Sequence, residues 1–396
     1  MQEIPETKFQ TIPPRILLGP GPMMVPPRVL QAMVNPMIGY LDPDFISIME
    51  EVSDLLKIVY STKSATTMAL SGTGSAGMEA GLNSILEPND VVLMCIHGFF
   101  CERQFEMATR VGANVIPLRS DWGKPFPPDL LEKEIKKHKN VKLVTTVQAE
   151  TSTGILQPLE DLSKIAKNHD ALLMVDAVTS LGANPVEFDS IGIDYAYSAT
   201  QKGLACPPGL SPAAISKNAL DSIKNRTTKP SSWYLDLGLI SDYWGEAHTY
   251  HHTAPVTMIL ALREALKIIV EEGLQNRYDR HNLNASALRS GLEALGLTVV
   301  SQNGYRLSQI TPFTIPKNID CVEGRKILLR EFGIEIGRGL GEYAGKVWRV
   351  GLMGESSKPE YVLNLLAALE KLLPRYGNEI EPGSALSAAS RILSEN

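Results

Sequence analysis

Three stretches of this 396-residue sequence carry side chains and spacings that could do chemistry. The first is Gly72-Thr73-Gly74-Ser75-Ala76-Gly77, set between a β-rich run and a helical one. Small residues there let the backbone close around a phosphate, and the helix that follows offers unpaired N–H groups and the positive end of its dipole. The second is Asp176, which ends the apolar run ALLMVD. The third is Lys202, which closes the segment SATQK just past another strand-like run. In an open parallel sheet the C-terminal ends of the strands are where ligands bind. A buried acid on that edge costs desolvation unless a cation or hydrogen bonds receive it. Each feature also has a plain structural alternative: a tight turn, a helix cap, a solvated surface amine.

The glycine pattern matches the G-x-G-x-x-G of dinucleotide sites too, but that reading requires an acid at the end of the next strand to hold a ribose. The next run, Val91–Ile96, ends in His97-Gly98-Phe99-Phe100, and Asp90 lies at its wrong end. An NAD-binding dehydrogenase is therefore disfavoured, and a single-phosphate site at Thr73, Gly74 and Ser75 gains. In chain order the sequence offers a phosphate loop, an aromatic face at Phe99 or Phe100, an acid at Asp176 and an amine at Lys202. Pyridoxal 5'-phosphate (PLP) needs that set. It asks for a cradle for its phosphate, a ring to stack on, a carboxylate to keep its pyridine nitrogen protonated and an amine to hold its aldehyde as a Schiff base.

Strands are predicted at 66–70, 91–96, 142–147, 171–175, 195–198 and 212–216, with a helix over 76–86. Several of these runs are apolar throughout, as strands buried on both faces are. Strands separated by helical patterns imply crossover units and a mostly parallel sheet. Residues 255–273 read as a long helix leading into a smaller domain, with helices over 284–295, 322–331 and 360–373 and strands near 297–301, 309–315 and 346–350. The predicted organisation is α/β. A proline-rich extended arm covers 1–40, and a large domain with a mostly parallel sheet flanked by helices covers 41–273. A smaller α+β C-terminal domain covers 274–377, and a loosely attached tail covers 378–396.

The strings SGTGSAGMEA, QAETSTGILQPL, LLMVDAVTSLG, YSATQKGLACPPG, KPSSWYLDL and TYHHTAPV, with LLGPGP near the start and KVWRVGLMG near the end, resemble the class V aminotransferases. Within them the chain is most similar to the alanine–glyoxylate and serine–pyruvate (serine–glyoxylate) enzymes, and the resemblance covers nearly the whole chain. It implies fold type I of the PLP-dependent transferases and a homodimer with the PLP site at the interface. It places the pyridine-nitrogen acid on Asp176, the Schiff-base lysine on Lys202 and phosphate contacts on Thr73, Gly74, Ser75 and Gln201. Thr151 falls near the ring, while Tyr250 and Thr253 fall on residues that reach the phosphate of the neighbouring subunit. Stacking falls on Phe100 where the family often carries Trp, so an aromatic face remains with less contact area. The substrate carboxylate falls on Arg349, and the chemistry agrees, because a guanidinium fork fits a carboxylate bidentately. The implied reaction is ping-pong transamination of a small amino acid, alanine or serine, with a 2-oxo acid, for which glyoxylate is expected. Ureidoglycine or hydroxykynurenine as donor stays open. So does a class V lyase or desulfurase, for which Cys321 would be a poor persulfide carrier.

Composition sets outer limits. With 44% hydrophobic and 21% charged residues the chain has the make-up of an ordinary globular protein. A net charge of −6 gives no electrostatic reason to expect nucleic acid or an anionic membrane as partner. No uninterrupted apolar stretch has bilayer length. The N-terminal MQEIPETKFQ lacks the basic-then-apolar order of a secretory signal, and Ser394-Glu395-Asn396 is no peroxisomal address. Cys95, Cys101, Cys206 and Cys321 are scattered, and a reducing cytoplasm is expected. His251 and His252 have no third ligand at workable spacing, so no metal is expected. Pro207-Pro208-Gly209 beside Cys206 favours a fixed turn over a nucleophile.

Overall fold

The apolar runs of the first two thirds become one seven-stranded sheet in a computed structural model that describes residues 12–394. In chain order the strands are β1 (Ile16–Leu18), β2 (Thr66–Ser71), β3 (Val91–Ile96), β4 (Asn114–Arg119), β5 (Val141–Val147), β6 (Ala149–Glu150), β7 (Ile155–Leu156), β8 (Leu172–Asp176), β9 (Tyr195–Tyr197), β10 (Leu210–Ile215), β11 (Ile310–Thr314), β12 (Ile334–Arg338) and β13 (Val347–Gly351). The large sheet runs β2-β10-β9-β8-β5-β3-β4. Neighbours from β9 to β4 pair in parallel, and β10 alone runs against both of its neighbours. Every residue of β8, β9 and β10 is buried. That is why these runs are apolar throughout, without an alternating polar face. The arrangement brings the C-terminal ends of β2, β3, β5, β8 and β9 to one edge of the sheet.

A second sheet, ordered β1-β12-β13-β11, holds β1 and the C-terminal strands, and β6 pairs antiparallel with β7 in a third, two-stranded sheet. β13 is antiparallel to both of its neighbours, and β1 lies parallel to β12 with Ile16 opposite Ile334. Trp348, Phe313 and Leu18 are fully buried between this sheet and its helices. Two consecutive helices, Val256–Glu272 and Leu274–Ala294, join the two sheets through Gly273, whose φ of +80° L side chains rarely adopt. No helix among the described residues is long and apolar enough to cross a membrane.

Four segments differ from the sequence expectation. The first forty residues are not wholly an extended arm. Ile16–Leu18 is a strand and Pro27–Ala32 a helix begun by proline at its first position. The predicted helix over 284–295 begins ten residues earlier, at Leu274, because its inward face carries Arg277, Tyr278, His281 and Asn284 and so looks polar. The region 297–301 forms only an isolated bridge, Val299 to Phe313, whereas β12 takes the pairing next to β13. Residues 384–394 are a helix with Ala385 and Ala389 fully buried in the smaller core, where a loose tail was expected. Small side chains allow that close approach while giving little hydrophobic signal. Expectations resting on residues 1–11 and 395–396 lie outside the described residues.

Candidate active site

Gly72 leaves β2 with φ +149°, and the chain turns at once into the helix Gly74–Ile85. Thr73, at the N-cap, makes no side-chain capping bond, so the first amides of this helix stay available to an anion. A Cβ on Gly74 would lie 2.9 Å from the Cβ of Ala199, so its absence lets this loop meet the segment that leads to Lys202.

Asp176 ends β8, and Lys202 lies in the turn after β9, the parallel neighbour of β8. The two line one cavity together with Thr73, Gly74, Ser75, Phe100, Thr151 and Gln201. Asp176 is 3% exposed. Its Oδ1 accepts from the Val178 N–H at 2.8 Å and its Oδ2 from the Tyr197 hydroxyl at 2.6 Å. Burial pushes this acid up to about 6, against the pull of those two hydrogen bonds, with a further push from Glu150. The Lys202 amine donates to the carbonyl of Pro20, so the N-terminal segment reaches the site. Burial, then the Arg349 guanidinium, lowers this lysine to about 8, with Asp176 working in the other direction.

Phe100 is held from behind. Its N–H donates to the buried Glu150 carboxylate at 2.9 Å, and the same carboxylate accepts from the N–H and hydroxyl of Ser152 at 2.9 and 2.7 Å. A Cβ on Gly98 would sit 2.2 Å from Glu150 Cγ, so the glycine makes room for the acid. Burial raises the Glu150 carboxyl and its donors oppose that rise. One residue on, the Thr151 carbonyl accepts from Arg349 Nη1 at 3.2 Å, while Arg349 Nε donates to the Arg338 carbonyl at 2.7 Å. Arg349 is 4% exposed, and burial lowers it to about 10. Its Nη2 is unused among the described residues.

Tyr250 and Thr253 are not brought to the cavity of their own chain. Both are exposed, and the Tyr250 ring lies 5.1 Å from that of Tyr40. His252 Nε2 meets Ser71 Oγ at 2.6 Å and His251 stacks on Trp233. Among the described residues no group of three His, Cys, Asp or Glu could hold a metal ion. Burial pushes the Cys206 thiol up, which disfavours its nucleophilic form.

Sequence reasoning missed Arg103, Glu150 and Tyr197. Arg103 lines the cavity with its guanidinium 4.9 Å from the Phe100 ring centre. A spacing of three from Phe100, one helical turn, was the available signal. Glu150 lay unremarked inside ETSTG, and Tyr197 read as strand filling. The residues present fit a phosphate-bearing pyridine. The helix amides are open, Gln201 lines the cavity beside them with an amide that can donate to a phosphate, and the buried Asp176 carboxylate makes no salt bridge among the described residues.

The family model described as Aminotransferase class-V matches residues 16–348. The chain is similar to the crystal structure of an alanine–glyoxylate aminotransferase from Nostoc sp., with 45% identity and a TM-score of 0.90 over 94% of this chain and 98% of that one. It is similar to the ureidoglycine–glyoxylate aminotransferase of Bacillus subtilis, with 41% identity and a TM-score of 0.95 over 98% and 100%. It is also 38% identical to the alanine–glyoxylate aminotransferase of Callithrix jacchus over 92% of this chain and 88% of that protein.

Proposed function

The chain belongs to the class V aminotransferases, and on that premise we propose that it carries PLP on Lys202 and moves the amino group of a small amino acid, alanine or serine, to glyoxylate. One juxtaposition carries the reading: an acid and an amine, delivered by adjacent parallel strands, line one cavity with an anion-ready helix N-terminus.

When bound, PLP supplies an electron sink for the charge that develops at the substrate Cα. Thr73, Gly74, Ser75 and Gln201 would hold its phosphate, Phe100 would offer an aromatic face to the ring and Thr151 would lie near it. Asp176 keeps a proton on the ring nitrogen. Arg349 grips the substrate carboxylate, and its two backbone contacts fix the fork before substrate arrives. Lys202 Nζ, depressed to about 8, would hold enough free base near neutrality to take the donor's Cα proton and deliver it to the cofactor's aldehyde carbon, reversing that transfer in the second half of a ping-pong cycle.

Tyr250 and Thr253 would serve the cavity of a second copy. Exposed Trp233, Tyr234 and Tyr250, linked ring to ring through His251, His252 and Tyr243, support such a dimer, since a contiguous exposed aromatic patch commonly marks an interface.

The test is purified protein given alanine and glyoxylate, with glycine and pyruvate expected. Serine should give hydroxypyruvate in place of pyruvate. A second reading, (S)-ureidoglycine as donor, is favoured by the Bacillus subtilis relative, which this chain matches over its full length. If none of the three donors yields glycine from glyoxylate, the reading falls.

A further inference from the structure

Asp176 does not stand alone. Tyr197, 21 residues on along the neighbouring strand, donates its hydroxyl to Asp176 Oδ2 at 2.6 Å. The Tyr197 oxygen accepts from Gln104 Nε2 at 3.0 Å, and Gln104 Oε1 accepts from the Thr145 hydroxyl at 3.2 Å. Tyr197, Gln104 and Thr145 are each 0% exposed, and none lines the cavity. The polarity of this chain is forced from its far end. An ionised carboxylate only accepts, so Tyr197 must give it the proton. The phenol oxygen is then left to accept, so Gln104 must turn its NH2 toward it and its carbonyl toward Thr145.

The packing keeps the tyrosine in place. A Cβ on Gly77 would lie 2.9 Å from Tyr197 Cβ, so the helix of the phosphate loop lies directly against it. Gln104 comes from the helix Phe99–Val111 that carries Phe100. Two elements that bear cofactor-facing residues, the strand that ends in Asp176 and the helix that carries Phe100, thus converge on one buried oxygen, while the phosphate-loop helix packs against the Cβ of the same side chain. With Val178 N–H on Oδ1 and Tyr197 O–H on Oδ2, each carboxylate oxygen keeps acceptor capacity for a partner in the cavity.

We propose that Thr145, Gln104 and Tyr197 form a relay of positioning residues that holds Asp176 as an oriented carboxylate and thereby keeps the proton on the cofactor ring nitrogen. This rests on the PLP reading above. Hydrogen bonds donated to a carboxylate favour its charged form. Removing the nearest donor makes Asp176 the stronger base and draws the shared proton from the ring toward the acid. Because chained hydrogen bonds polarise one another, loss of the more distant members should act in the same direction with falling strength.

The test reconstitutes wild type, Tyr197→Phe, Gln104→Leu and Thr145→Val with PLP labelled with 15N in the ring. The readouts are the ring-nitrogen chemical shift, the cofactor dissociation constant, and kcat and KM. The wild type is expected at the protonated-pyridine shift. Tyr197→Phe should move toward the unprotonated value and lose about 10–100-fold in kcat, the worth of one hydrogen bond to a charged group, with KM little changed. Gln104→Leu should show the same displacement more weakly and Thr145→Val more weakly still. Should Tyr197→Phe fail to fold, the ordering of the other two against wild type decides the matter. A wild-type ring shift in the variants, even beside a lower kcat, overturns the relay, because packing damage alone leaves the ring protonated. Wild-type protein that takes up no PLP overturns the functional reading itself, and the relay with it.

Discussion

The guanidinium of Arg277 donates to the carbonyl of Gly203, one residue beyond Lys202, at 2.7 Å. It also donates at 2.7 Å to Gly182, in the turn that follows Asp176. One buried cation, 3% exposed, therefore ties together the two loops that follow the acid and the amine. Its charge is met by Glu272 at 2.6 Å, which also pairs with Arg280, and Arg280 binds the carbonyls of Gly354 and Ser357 just past β13. The cluster sits at the Gly273 break and joins both sheets.

Arg277→Met keeps much of the bulk and removes all three contacts. Breaking one side of a buried pair costs about 3–5 kcal/mol, and that loss is expected in urea unfolding. Arg277→Lys retains the charge without the fork and should fall between, with weaker PLP binding. If Arg277→Met unfolds at the wild-type urea midpoint, the clasp is ornamental.

Lys202 should show its environment in the pH dependence of cofactor capture. Only the free base attacks an aldehyde, and burial beside Arg349 sets this amine at about 8, well below the ordinary 10.5. The rate at which apoenzyme takes up PLP, followed by stopped-flow absorbance, should rise with a midpoint near pH 8 and level off above it. A rise that continues unbroken to pH 10 would argue for a solvated lysine. Lys202→Ala should still bind PLP non-covalently, escape fixation by borohydride, and lose about 10²–10⁴-fold in transamination.

Arg349→Ala should raise KM for every amino- and oxo-acid substrate by about 10–100-fold, the worth of a hydrogen bond to a carboxylate, with PLP affinity nearly kept. Arg349→Lys should recover part of the loss by charge alone. An unchanged KM in initial-rate assays would put the carboxylate elsewhere.

What the sequence made legible has a physical pattern. Val91–Ile96 was readable to the residue because a strand buried on both faces is apolar throughout. Asp176 and Lys202 stood out because each is a charged group at the end of such a run. The polar interior left no comparable trace. Arg277 and His281 made an inward helix face look like a surface, and Glu150 and Tyr197 act through backbone amides and a neighbouring strand that no spacing rule connects. β12 was readable in retrospect, since Ile334 and Ile336 are buried around exposed Glu335. The pairing of β1 with it, more than three hundred residues away, was not.

Asp176 offers a test that separates stability from function. Burial raises its carboxyl from 3.8 to about 6, so between those values the folded apoenzyme keeps a proton that the unfolded chain has lost. The desolvation cost is therefore full above pH 6 and fades as pH falls toward 3.8, and a shift of this size corresponds to about 2–3 kcal/mol. Asp176→Asn mimics the neutral acid. Its apoenzyme should be more stable than wild type at pH 8, with the gap closing as pH drops through 6, measured by urea unfolding at each pH. The same substitution removes the carboxylate that holds a proton on the ring nitrogen, so transamination should fall steeply and PLP should stabilise the variant less than it does wild type. A gap that stays constant from pH 8 to pH 4 would mean that the ionised carboxylate is already compensated in the apoenzyme.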